Sequence, residues 1–191
     1  MSGRITIVAT LVVAAFCILE TPALSQHGPS QEGASPSSLT PDREFAKKAA
    51  GGGLAKVKLG HLAEDQGESE AVKNFGKRMV LDHRKSNEQL KRTAAREKIE
   101  LPTEMNAHDQ DVYNRLSQLS GAEFDKAYAR EMVNDHKQVI ADFRTESDNG
   151  QDQAIKDFAF STLPALQDHM KLARQMLHDV EPGSSKQNGN K

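Results

Sequence analysis

The segments FGKRMVLDH at 75–83 and YAREMVNDH at 128–136 share one order: an aromatic, three residues, Met-Val, one residue, Asp-His. A third Asp-His pair stands at Asp168-His169. Neutral imidazole is the commonest metal-ligating side chain, so three histidines in related settings raise the prospect of a transition-metal site. Residues four apart share a helical face, which sets Met79 over His83 and Met132 over His136. Imidazole with thioether suits copper, above all Cu(I), whereas imidazole alone suits zinc, nickel or Cu(II). His61 and Glu64, three residues apart, could add ligands from another helix. The competing reading is structural. Methionine at helical spacing commonly fills a core, and a histidine on an apolar face is commonly hydrogen-bonded by a neighbour. Asp82, Asp125, Tyr128, Asp135 and Asp168 are available for that role.

Long helices must carry these residues. Thr40-Pro41-Asp42 reads as an N-cap followed by proline in the first turn, starting a helix over about 41–66. Gly51-Gly52-Gly53 lies inside it, and the flanking Ala49, Ala50 and Ala55 suggest close approach of another helix there. Gly67-Glu68-Ser69 breaks that helix and Ser69 caps the next, over about 70–97, whose apolar stripe is Val72, Phe75, Met79, His83 and Leu90. A shorter helix is expected near 104–118. Long helices follow over about 122–147 and 152–179, the last carrying Pro164, which should kink it. No stretch alternates with period two, so the chain reads as all-α. AVKNFG at 71–76 matches AIKDFA at 154–159, and Glu44-Phe45 is paired with Glu123-Phe124. Two related hairpins joined by a long crossover give a ferritin-like antiparallel four-helix bundle with a short extra helix in the crossover. The histidine motif does not follow this duplication, since it relates the second long helix to the third.

The ends read differently. Arg4, the apolar run Ile5–Leu19 and Ala23-Leu24-Ser25 have the layout of a cleavable signal segment over 1–25. Residues 26–40 are rich in Ser, Pro and Gly and read as a linker, the bundle as 41–180, and 181–191 as a disordered tail. The single Cys17 falls inside the signal segment, so the mature chain would have no disulfide, thiolate ligand or cysteine nucleophile. A net charge of −2 with no basic stripe argues against a nucleic-acid partner. No transmembrane helix is expected in the mature form, and the address is periplasmic or outer-membrane associated. An envelope partner remains open.

The run AAGGGLAKVKLGHLA, then FGKRMVLDH, LSGAEFDKAYAREMVNDH and FAFSTLPALQDH, resembles the bacterial domain-of-unknown-function family 4142 over about 41–178. The resemblance implies an exported, ferritin-like helical bundle and brings no established activity. His83, Asp125, Tyr128, His136, Pro164 and His169 fall on its motif positions, whereas Lys56, Lys58 and His61 depart from the pattern.

The first functional reading is therefore a non-enzymatic envelope protein, of binding or stress-protective type, with structural histidines and no required cofactor. The second is a Cu- or Zn-binding protein using His83, His136 and His169, with Met79, Met132, His61 and Glu64 as further candidates. A third, a di-iron oxidase, rests on fold analogy alone. Di-iron bundles draw a Glu-x-x-His from each of two helices, and no histidine here has an acid three residues before it.

Overall fold

The computed structural model describes residues 40–181. The stretches read above as a signal segment (1–25), a linker (up to residue 39) and a tail (from 182) lie outside the described residues. Five helices make up the described chain: α1 (Pro41–Gln66), α2 (Glu70–Arg96), α3 (Ala107–Leu116), α4 (Gly121–Asn149) and α5 (Gln153–Val180). None is long and apolar enough to cross a membrane. The starts follow local chemistry. Thr40, Ser69, Asn106 and Asp152 each accept a backbone N–H of the first turn they precede. Asn106 explains why α3 begins later than its apolar pattern suggests. α5 runs unbroken through Pro164.

Helix α1 packs on α2 and α4 on α5; the two hairpins then meet through α2 against α5 and α1 against α4. Small residues allow α1 and α2 their closest backbone approach, which lies beyond the triple glycine. A Cβ on Gly76 would stand 2.6 Å from the Gly60 carbonyl oxygen, and one on Gly60 2.8 Å from that of Gly76. The helix backbones therefore cross at this pair. In the triple glycine, Gly52 faces open space and only Gly53 is closely covered, by the Asn87 side chain.

Each hairpin turn is clamped by the other hairpin. Asp125 of α4 accepts the Glu68 and Ser69 backbone N–H groups at 2.9 and 2.8 Å. Asp42 of α1 accepts those of Gln151 and Asp152 at 2.9 and 3.2 Å. An offset of 83 residues relates Asp42 to Asp125, Ser69 to Asp152 and Phe75 to Phe158. The repeat in the first helices is thus Asp42-Arg43-x-Phe45-Ala46 with Asp125-Lys126-x-Tyr128-Ala129, four residues away from the expected pairing of Glu44-Phe45 with Glu123-Phe124.

Beside the Asp42 clamp, burial and then Asp42 itself push the Glu146 carboxyl up to about 7 from an ordinary 4.5. A raised folded-state value means stability is full below pH 4.5 and falls as pH rises through about 7. Glu146→Gln should remove that slope. Allowing for solvent screening near the helix end, the variant should be on the order of 1–2 kcal/mol more stable than the parent at pH 8 and no more stable at pH 4. Urea denaturation at the two pH values checks this.

The core has two apolar clusters. One contains Leu59, Phe75, Met79, Tyr128, Met132 and Met176; the other contains Ala50, Leu90, Ile140, Phe158, Leu166 and Met170. Along every long helix the sequence passes from one cluster to the other: Lys56, His83 and His136 are the buried polar residues at three of these passages, and on α5 His169 stands beside Met170, the last residue before the passage. The middle of the bundle is thus a polar layer between two apolar ones.

Candidate metal centre

Helices α2, α4 and α5 each bring one imidazole to this layer. Ring centroids of His83 and His136 are 6.3 Å apart, those of His83 and His169 5.4 Å, and those of His136 and His169 5.5 Å. One ring nitrogen from each lies within 4.8 Å of those of the other two. Three nitrogens around a tetrahedral ion with bonds near 2.05 Å would stand about 3.3 Å apart, so an inward movement of about 1 Å closes the set. Among the described residues, no carboxylate oxygen belongs to the cluster.

The hydrogen bonds around the rings decide which nitrogens are free. His136 Nδ1 donates to the Met132 carbonyl oxygen one turn back, at 2.8 Å, leaving Nε2 as an acceptor without a partner. His169 Nε2 donates to Asp82 Oδ2 at 2.8 Å, leaving Nδ1 without one. His83 Nε2 is likewise buried and unpartnered. Buried polar atoms are normally satisfied, because an unmade bond costs about 1–3 kcal/mol. Two rings oriented by a carbonyl and a carboxylate, each with a free lone pair, beside a third ring whose Nε2 is unpartnered, match the outer-partner arrangement around ligating histidines.

The electrostatics suit cation binding. Burial is the leading cause that lowers all three imidazoles, His136 to about 4 and His83 well below its ordinary 6.5. The rings are therefore neutral at pH 7 with their lone pairs available. His83 is lowered further by His169, His136 and Lys56. Burial alone would raise the Asp82 carboxyl, but Arg78 and His169 outweigh it and hold it below the usual range.

The other predicted residues go elsewhere. Met79 and Met132 are fully buried in the apolar cluster with Phe75 and Tyr128. His61 is 48% exposed, pairing with Glu64 at 3.3 Å and meeting Arg84 at 3.0 Å, so these two form a surface contact away from the layer. Of the acids available to the histidines, Asp82 takes His169 from across the bundle, although Asp168 is its neighbour in sequence. Asp125 is spent on the turn, and the Tyr128 hydroxyl is buried without a partner. Lys56 drew attention in the sequence only as a departure from the family pattern. Its side chain is 4% exposed and its Nζ pairs with Asp135 Oδ1 at 2.8 Å, while Asp135 Oδ2 lies 3.7 Å from His136 Nδ1. A lysine where α1 crosses from one apolar cluster to the other was the available signal.

Comparison with known proteins adds a family and no chemistry. The model of a family described as "Domain of unknown function (DUF4142)" matches residues 28–176. No curated protein and no solved structure matches the chain.

Proposed function

Since the chain belongs to the DUF4142 family, whose description carries no activity, we propose from its own residues that it is a transition-metal-binding protein whose ligands are His83, His136 and His169. The observation that supports this best is the convergence of three buried imidazoles from three helices, with one ring nitrogen of each within 4.8 Å of the others and each ring carrying an unpartnered buried nitrogen. A metal would use the lone pairs that these rings leave without a partner. Imidazole ligands without thiolate or carboxylate favour Cu or Zn over Mg or Ca. The same reading makes the protein a carrier or buffer of metal rather than a di-iron oxidase, because the layer offers imidazoles where di-iron chemistry needs bridging carboxylates. The two clamped hairpins support a ferritin-like arrangement. The signal-like composition of 1–25 supports an exported, envelope location.

Titration of the metal-free protein with Zn(II), Co(II) and, under reduction, Cu(I) tests the reading. One equivalent should bind, and the melting temperature should rise with free metal concentration, since a ligand that binds only the folded state stabilises it. A protein that shows neither stoichiometric uptake nor a shift with any of these ions is not a metal carrier.

A further inference from the structure

Four long helices each place one buried polar residue in the central layer, and three of these are histidines; the fourth, on α1, is Lys56. Its position is what the metal reading leaves unexplained. A fourth ligand would be expected from α1, and this chain supplies a cation instead.

The charge around the layer sharpens the question. The ligands themselves are neutral imidazoles. Asp82, which orients His169, is already bonded to Arg78. Asp135, beside His136, is already paired with Lys56. Each carboxylate that touches a histidine of the layer is therefore matched by a cation, and nothing fixed there offsets the charge of an incoming ion. The desolvation cost of an ion is large and grows with the square of its charge, so an uncompensated divalent ion among side chains exposed by 8% or less is strongly disfavoured. Three protein ligands also leave a tetrahedral ion one position open. An anion in that position would lower the net charge and complete the coordination together.

Resting on the three-histidine reading, we propose that a divalent metal in this layer takes a small monoanion, hydroxide or an azide-sized ion, in its fourth position, and that the buried Lys56 ammonium is the charge partner that holds it. Lys56 is suited to this because its compact ammonium carries three donors and Asp135 Oδ1 engages it from one side. The surrounding apolar clusters exclude water, so attraction between the ammonium and the anion is weakly screened.

The test uses the Co(II)-loaded protein, whose visible absorption reports coordination, titrated with sodium azide. The parent should give a saturable spectral change. Because removing Lys56 alone leaves Asp135 without its partner, the comparison is the double variant Lys56→Met/Asp135→Asn, which removes the pair together. It should still bind one equivalent of Co(II) and should bind azide at least tenfold more weakly, while Lys56→Arg retains most of the parent's azide affinity. No azide-dependent change in the parent, or equal azide affinity in the double variant, overturns the proposal while leaving the metal site standing. Failure of the parent to take up Co(II) overturns the metal reading itself, so the two failures are distinct.

Discussion

His136→Leu should abolish stoichiometric metal binding while leaving the metal-free protein as stable as its parent or more so. Outer partners of a ligating histidine are worth about 10–100-fold in affinity. Loss of the ligand itself should therefore cost more than 100-fold, and Asp82→Asn, which touches only the orientation of His169, should fall within that range. Leucine is close to histidine in volume, so it leaves little cavity, and it takes an unpartnered nitrogen out of a fully buried position. The acid response gives a second readout. His136 is lowered to about 4 in the fold against 6.5 unfolded, so it contributes no pH dependence above 6.5 and costs stability progressively as pH falls from 6.5 to about 4. At 1.36 kcal/mol per unit this is about 3 kcal/mol, and the leucine variant should lack it. Isothermal titration with Zn(II) and urea denaturation at pH 7 and pH 4.5 would check both halves. A variant that binds metal like its parent, or whose metal-free form is destabilised at pH 7 by several kcal/mol, would return His136 to a purely structural role.

What the chain disclosed in advance depended on the range of the interaction. Helix limits are set within one turn, and Thr40, Ser69 and the apolar stripes through Val72, Phe75 and Phe124 were legible because caps and periodicity are local. The three histidines were legible for the same reason: each is the polar residue on an otherwise apolar face. Their partners were not. Asp82 reaches His169 across 87 positions, and Asp125 and Asp42 reach the opposite hairpin's turns across more than 50 and more than 100. Nothing in local spacing distinguishes Asp82 from Asp168. The triple glycine pointed to a close contact that Gly53 makes with the Asn87 side chain of α2, but glycine frequency did not show that Gly60 and Gly76 are where two backbones meet. His61 and Glu64 misled because a sound ligand spacing on one helix says nothing about which side of the bundle it faces.

Lys56 shows what the polar layer demands of the fold. Lys56→Met should destabilise the metal-free protein by about 3 kcal/mol, the low end of the cost of breaking a buried ion pair, because Asp135 keeps 19% exposure and so retains some water. The loss falls on Asp135. Its Oδ2 is already without a partner, and the substitution strips Oδ1 of its ammonium as well. If that is the cause, a compensating change at Asp135 must recover stability, since replacing both members of a buried pair by apolar groups is commonly neutral or stabilising. Lys56→Met/Asp135→Leu should therefore melt close to the parent, and the double-mutant cycle should give a coupling of at least 1 kcal/mol. Additive losses in the cycle would mean that Lys56 acts through its methylene stem packing between the apolar clusters, not through its charge. Recovery would mean that an apolar pair holds the fold as well as the ammonium does, so that the charge of Lys56 is not needed for stability and the azide titration of the metal-loaded protein becomes the measure of what it does.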